Sequence, residues 1–226
     1  MPRIVVLTGA GISAESGLAT FRDSGGLWEG HDPMQVATPE AYDADPGLVL
    51  RFYDERRAAL SRVAPNAAHR ALARLEEALG DDLLVVTQNV DDLHERAGSE
   101  RVHHLHGRLR AAWCTTCDER HEWEGSLRDR PPCPWCGQAT LRPDIVWFGE
   151  IPYGMDVVEE ALWECELFVS IGTSGVVYPA AAFVHWAHGD TLELNLEPSA
   201  GATDFAASRQ GPATALVAAW VDEVLG

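Results

Sequence analysis

The sequence predicts an α/β fold, a doubly wound parallel sheet carrying a smaller second lobe built from two insertions. Three observations predict it. Four short apolar runs, at residues 4–7, 83–86, 167–171 and 192–196, each end in small or polar residues. Helical stretches with one apolar face separate them, the alternation that layers helices on both faces of a parallel sheet. Two stretches, 25–64 and 109–141, interrupt the alternation, and the second holds two Cys-x2-Cys pairs.

The first run, Ile4, Val5, Val6 and Leu7, reads as a buried strand that breaks into Gly9-Ala10-Gly11. Read as Gly9-x-Gly11-x-x-Ala14, it matches the strand-to-helix turn that brings backbone N–H groups to a pyrophosphate. A dehydrogenase-type site has an acidic residue roughly 20 residues further on, closing a second strand. Here Gly25-Gly26-Leu27-Trp28-Glu29-Gly30 reads as loop, and Phe21-Arg22-Asp23 puts an aromatic and a cation close behind the glycines. The expectation is a Rossmann-like dinucleotide site whose loop folds over its own ligand, not a simple dehydrogenase. Stretch 25–64 holds turns and then a helix around 48–61. Residues 66–79 place Ala67, Ala71, Leu72, Leu75 and Leu79 on one helical face, and 156–163 and 213–225 read likewise. The second run leads into Thr87-Gln88-Asn89-Val90-Asp91, the third into Gly172-Thr173-Ser174-Gly175, the fourth into Glu197-Pro198-Ser199. Open parallel sheets bind ligands beyond the carboxyl ends of their strands, so the four ends outline one binding edge.

Cys114-x2-Cys117 and Cys133-x2-Cys136 have the spacing of a zinc ribbon, two knuckles closing a tetrahedral shell of four thiolates. Such a shell has no open position, so its zinc holds structure and performs no chemistry. Cys165 reads as a core residue. His103, His104 and His106 precede the first knuckle, where the chain crosses between lobes and where substrates commonly bind. Side chains on an extended segment alternate faces, which argues against a metal site there. His106 is the candidate general base. A glycine follows it, the 88–91 loop can lie nearby, and imidazole titrates near neutral pH. His103 and His104 read as hydrogen-bonded structural residues. The apolar centre of RPDIVWFGE (142–150) fits a channel for an extended aliphatic group and fits core packing equally well.

Composition narrows the function classes. The net charge of −18 argues against non-specific nucleic-acid binding, and all 17 basic residues are arginine. A length of 226 residues suits one domain with an inserted module, and 46% hydrophobic content supplies a full core. No apolar run reaches the ~18 residues of a membrane span. The N-terminus enters its strand without a signal-like segment, so the expectation is a cytoplasmic chain. Five cysteines there do not suggest a disulfide framework.

GAGISAESGLATFRD, TQNVDDLHERAG, HLHG, the two cysteine pairs, RPDIVWFGE, GTSGVVYPA and NLEPS follow in this order. Together, across residues 4–205, they resemble the sirtuins, NAD-dependent protein-lysine deacylases, and especially their compact bacterial CobB-type branch. The resemblance implies a single sirtuin-type catalytic domain over 1–226. Its large Rossmann-like lobe comprises 1–24, 65–108 and 142–226, and its small lobe comprises 25–64 (helical) and 109–141 (zinc ribbon). It also implies a reaction. The acyl oxygen of an acyl-lysine attacks the nicotinamide ribose and expels nicotinamide. His106 takes a proton from a ribose hydroxyl, and water finishes by releasing lysine and O-acyl-ADP-ribose.

Carried onto this sequence, the NAD contacts fall on Gly9, Ala10, Gly11, Ser13, Glu15, Phe21, Arg22, Gln88, Asn89, Asp91, Gly172, Thr173, Ser174, Asn195, Glu197 and Ala213. The glycines take the pyrophosphate, the 88–91 loop takes the ribose and nicotinamide amide, and Glu197 takes ribose hydroxyls. Val146 pairs with the substrate backbone or acyl amide, and Phe148 lines the lysine tunnel. Tyr53-x-x-Arg56 lies on one helix face. In the succinyl-lysine-reading subclass this pair holds the carboxylate of succinyl-, malonyl- or glutaryl-lysine, a task suited to a guanidinium fork. The resemblance further implies one structural zinc ion on Cys114, Cys117, Cys133 and Cys136. The partners are acylated-lysine proteins or peptides, with no nucleic acid and no membrane, and the enzyme is a monomer.

Asp144 and His104 depart from the expected motifs, and an acid at 144 beside the substrate cleft would shift peptide preference. Two rival readings stand beside the deacylase. One is an NAD-consuming ADP-ribosyltransferase or NAD glycohydrolase without the acyl-lysine tunnel. The other is a zinc-ribbon binding module on an inactive nucleotide fold. The Tyr53/Arg56 pair and 146–150 speak against the first, and the intact Gly9-x-Gly11, Asn89, Asp91 and His106 against the second.

Overall fold

A computed structural model of the chain describes residues 2–19 and 30–226. The chain forms β1 (Ile4–Thr8), α1 (Ala10–Ala14), α2 (Pro33–Val36), α3 (Pro39–Ala44), α4 (Pro46–Leu60), α5 (Ala67–Leu79), β2 (Leu83–Thr87), α6 (Leu93–Ala97) and β3 (Val102–His104). It continues as β4 (Gly107–Cys114), β5 (Arg120–Glu122), β6 (Leu141–Ile145), α7 (Met155–Glu164), β7 (Leu167–Ile171), α8 (Phe183–Trp186), β8 (Asp190–Asn195), β9 (Ala207–Gln210) and α9 (Ala213–Leu225). Helix starts follow local chemistry. Side-chain oxygens of Asp32, Thr38 and Asp45 accept backbone N–H groups at the first turns of α2, α3 and α4, and a proline stands early in each helix. Asn66 caps α5, and His69 three residues on closes the capping box.

One six-stranded sheet has the order β3-β2-β1-β7-β8-β9, with every neighbouring pair parallel. Counted along this sheet alone, that is the 3-2-1-4-5-6 order of the Rossmann fold, with β4 to β6 inserted between its third and fourth strands. The order reverses between β1 and β7, which opens a crevice beyond their carboxyl ends. The four strands expected from the apolar runs are β1, β2, β7 and β8. The sequence reading misses β9, whose residues Ala-Ser-Arg-Gln are all exposed and carry no apolar pattern. Its backbone ladder with β8 holds it at the edge.

Strand alternation covers both sheet faces, as a parallel sheet requires. Val6, Val85, Val169 and Leu194 pack with Leu72 and Leu75 of α5 and Val217 and Trp220 of α9. Val5, Leu7, Val86 and Phe168 pack with Val158 and Leu162 of α7 and Phe183 of α8. Each such buried side chain contributes roughly 1.5–3 kcal/mol.

The insertions pack on each other. β5, β4 and β6 form an antiparallel sheet. Helix α4 sets Phe52, Tyr53 and Leu60 against Leu109, Ile145 and Trp147. Its Leu50 joins Ala112, Leu127 and Leu141 beside Cys114 and Cys133. Among the described residues, no helix is long and apolar enough to cross a membrane.

Candidate active site

A cleft of about 410 Å³ lies at the carboxyl ends of β1, β2, β7 and β8, walled on its far side by the inserted elements. From the sheet side it is lined by Gly9, Ala10, Gly11 and Ser13, by Gln88, Asn89 and Asp91, by Gly172, Thr173 and Ser174, by Asn195 and Glu197, and by Ala213. His106, Arg56, Val146 and Phe148 face the same space. Val177 and Tyr178 after β7, both within the GTSGVVYPA motif, line it as well, and so does Ala37 after α2, which carries no signal in the sequence beyond being apolar. Phe21 and Arg22 lie outside the described residues.

The glycines serve close approach between two strand ends. A Cβ on Gly11 would stand 2.7 Å from Cα of Gly172, and Gly172 itself has φ +63°. Their amides are already used within the protein. Gly9 N–H donates to Ile171 O at 3.0 Å and Gly11 N–H to Gly172 O at 2.8 Å. The pattern therefore brings two loops together at the floor of the cleft, and these two N–H groups are not left open for a phosphate.

Buried polar contacts brace the neighbouring loop. Ser13 Oγ donates to Asp91 Oδ2 at 3.0 Å, Leu93 N–H donates to Asp91 Oδ1 at 3.1 Å, and Asn89 Nδ2 donates to Gly9 O at 3.1 Å. Burial holds the Asp91 carboxyl above the ordinary carboxylate range, against the pull of the Leu93 and Ser13 hydrogen bonds. Across the cleft Asn195 Nδ2 donates to Thr173 O at 2.6 Å.

His106 is half-buried, with Nδ1 3.0 Å from Gln88 O. A carbonyl only accepts, so Nδ1 carries the proton and Nε2 keeps its lone pair. Burial pushes the His106 pKa below the usual imidazole range, with the Gln88 carbonyl pulling the other way. A neutral ring with a free Nε2 is the form a general base needs. Gly107 follows with φ +78°, and a side chain there would strike the Asp144 carbonyl. His103 Nε2 bonds Tyr153 O at 2.9 Å, away from the cleft.

Three expected placements need correction. Glu15 does not line the cleft: its carboxylate accepts from Thr214 N–H at 2.9 Å and Thr214 Oγ1 at 2.8 Å, fastening α1 to the first turn of α9. Asp144 is buried away from the substrate cleft, accepting from Tyr153 Oη at 2.8 Å and lying 3.3 Å from Arg120 Nε. It borders a separate hollow, because alternation along β6 turns it opposite to Ile145. Tyr53 is fully buried behind the wall that Arg56 and Trp147 present, with Oη accepting from Trp147 Nε1 at 3.0 Å. Burial raises its phenol pKa above the ordinary range.

One group escapes the sequence reading altogether. The buried Arg142 guanidinium lies 3.5 Å from the centroid of the Trp147 ring and donates to both Glu150 oxygens, at 2.8 and 2.9 Å. Glu150 Oε2 also accepts Trp147 N–H at 2.8 Å. The signal available is that RPDIVWFGE begins and ends on opposite charges.

In the inserted module the four cysteine sulfurs lie within 4.8 Å of one another, with Cys114 to Cys136 at 3.6 Å and Cys117 to Cys133 at 3.7 Å. Tetrahedral zinc–thiolate bonds of about 2.3 Å put sulfurs about 3.8 Å apart, so the donor set fits a closed zinc site. None of the five cysteines forms a disulfide.

The model of the Sir2 family matches residues 9–179, from the glycine turn through His106 and the cysteines to the loop after β7. The chain belongs to the Sir2 family. An NAD-dependent protein deacylase of Yersinia pseudotuberculosis is 54% identical over 99% of this chain and 83% of its own length. A protein of the same name from Escherichia coli K12 is 52% identical over 99% of this chain and 82% of its own. A solved Sir2 homolog–NAD complex aligns with a TM-score of 0.88 at 39% identity, covering 98% of this chain and 89% of that one. A Sir2 structure with deacetylated p53 peptide and 3′-O-acetyl ADP-ribose aligns at 0.85 and 30% identity, covering 97% and 92%. The cleft of this Sir2-family chain thus sits on the parallel sheet, with α4 and the end of β6 at the far wall.

Proposed function

We propose that this Sir2-family enzyme is an NAD-dependent protein-lysine deacylase that removes succinyl and malonyl groups, and acetyl groups as well. It releases nicotinamide and O-acyl-ADP-ribose. The observation that carries the acyl preference is Arg56, the only cation lining the cleft among the described residues. The names of the bacterial relatives and the NAD complex of the Sir2 homolog support the reaction class.

When bound, NAD supplies the ribose carbon that receives the acyl oxygen. The glycine turn, Gln88, Asn89, Asp91, Asn195 and Glu197 hold it. His106 accepts a proton at Nε2, because Nδ1 is committed to the Gln88 carbonyl. Val146 and Phe148 line the entry for the acyl-lysine. Arg56 receives the carboxylate of the acyl group, a charge-assisted and directional contact in a largely apolar wall. Tyr53 supports that wall from behind through Trp147. The four cysteine thiolates hold one zinc ion as a structural clamp. We place the reaction in the cytoplasm and read the enzyme as a monomer.

Mass spectrometry of paired succinyl-lysine and acetyl-lysine peptides, with and without NAD, tests the reading. Strict NAD dependence with faster succinyl removal is expected. Faster acetyl removal keeps the reaction and retires the Arg56 pocket. Nicotinamide release without any deacylation would favour the NAD glycohydrolase or ADP-ribosyltransferase reading.

A further inference from the structure

Three charged side chains act on the wall that Tyr53 and Trp147 build, and only Arg56 has a part in the proposed reaction. The other two, Arg142 and Glu150, cancel each other. Arg142 lies between two indoles, 3.5 Å from the centroid of the Trp147 ring and 4.9 Å from that of Trp113. Its guanidinium forks onto both Glu150 oxygens and gives a further N–H to Ile145 O at 2.7 Å. Glu150 itself lines the cleft, with its side chain 26% exposed against 7% for Arg142. Burial pushes the Glu150 carboxyl up, but the hydrogen bonds from Arg142 and the Trp147 amide outweigh it and hold the group below the usual carboxylate range. The pair is therefore one cation and one anion of zero net charge. The Tyr53 phenol is raised mainly by burial, yet Arg56, Arg142 and Glu150 all reach it too, so the three charges act on one point of the wall.

We infer that the Arg142–Glu150 pair determines acyl specificity by keeping the wall behind Arg56 electrically neutral. Removing Arg142 disfavours anionic acyl-lysines, and removing the charge of Glu150 favours them. The inference rests on reading Arg56 as the receiver of the acyl carboxylate. The opposite signs follow because each member is held in place without the other. Glu150 without Arg142 keeps the Trp147 N–H on Oε2 at 2.8 Å, so an uncompensated anion remains at the cleft. Arg142 without Glu150 keeps the Ile145 carbonyl and two indole faces, so an uncompensated cation remains behind Trp147. Partly buried charges are poorly screened by salt, so either one reaches a carboxylate bound nearby.

The pair also braces a turn. Glu150 N–H donates to Trp147 O at 3.0 Å while the Glu150 side chain takes the Trp147 N–H, and Val146 and Phe148 beside that turn line the entry. Loss of the brace slows every acyl-lysine alike. The charge is read instead in the ratio between two substrates of one shape, which bracing does not move.

The test is steady-state, NAD-dependent deacylation of two matched peptides, one carrying succinyl-lysine and one its uncharged terminal amide. The enzymes are the wild type, Arg142→Met, Glu150→Gln and Arg56→Met, and the readout is the succinyl-to-amide ratio of kcat/KM. Arg142→Met is expected to lower the ratio by roughly five- to tenfold, the scale of one unit charge felt across a protein wall. Glu150→Gln should raise it by a similar factor, and both shifts should lie in KM, because the carboxylate contact is the same in the ground and transition states. An unmoved or lowered ratio in Glu150→Gln overturns the inference, whether or not Arg142→Met folds. So does an unmoved or raised ratio in a folded Arg142→Met. Arg56→Met separates this failure from that of the underlying reading. If it lowers the ratio while the other two variants do not shift it as expected, Arg56 keeps its role and the pair is a brace alone. If it leaves the ratio unmoved, the acyl-pocket reading falls and the inference with it.

Discussion

At the scale of single residues, the working state of His106 is decided by what its other nitrogen touches. With Nδ1 bonded to Gln88 O and the pKa lowered by burial, the ring gives up its proton at lower pH than a free histidine does. The rise of kcat/KM with pH should therefore be centred below about pH 6.5, the free-histidine value. An acid limb centred above that value in a pH–rate profile would contradict the assignment. Arg56→Met should lower kcat/KM for succinyl-peptide by roughly 10- to 100-fold, the scale of a charge-assisted contact, and for acetyl-peptide far less. Equal losses on both peptides would make Arg56 a scaffold residue. His106 is legible in the sequence because Gly107 marks a backbone approach beside it. Glu15, Tyr53 and Asp144 are not, because a motif gives a residue's address but not the direction its side chain takes. Thr214 lies 199 positions from Glu15, and nothing local to Glu15 announces that partner.

At the scale of elements, packing fixes protonation. Helices α5 and α6 meet through His69 and His94, whose ring centroids are 5.0 Å apart and whose side chains are buried. Burial lowers their pKa values to about 4 and about 3. The unfolded chain binds protons on both near pH 6.5 and the folded chain does not. Their contribution to stability is therefore present above pH 6.5 and is lost as pH falls toward 4 and 3. The slope reaches roughly 1.4 kcal/mol per pH unit for each ring. Urea unfolding at pH 7, 6 and 5 should show this fall, and a flat series would mean that the rings are charged in the fold. The cysteine module makes a separate prediction. Cys133→Ala should remove zinc and lower Tm together, by roughly 10 °C. Normal Tm in a metal-free variant would exclude a structural site. The spacing of the cysteines is visible in the sequence because each knuckle is local. Strand β9 is invisible because an exposed edge strand needs only a backbone ladder and leaves no apolar alternation.

At the scale of the whole molecule, the sequence reports the alternation of strands and helices but not which strand neighbours which. The right-handed rule for parallel crossovers restricts the choices without selecting β1 and β7 as the central pair. Binding at that crevice joins loops from both halves of the sheet, so NAD should stabilise the fold as a unit. At a hundredfold excess over Kd the gain is about 2.7 kcal/mol, or a rise in Tm of roughly 5–10 °C. Thermal unfolding with and without NAD measures it, and an unchanged Tm would place NAD elsewhere or nowhere.

Strands β4 and β6 are hydrogen-bonded neighbours, and Cys114 stands opposite Leu141 in their register. The path out to the metal-binding knuckles and the path back therefore pass side by side, one strand spacing apart. Everything from 115 to 140 leaves and returns through that doorway, and Leu127 and Ser126 pin its far end to Leu50 and Asp54 of α4. Because both paths cross at one place, the order of the parallel sheet does not depend on the length of chain between Cys114 and Leu141.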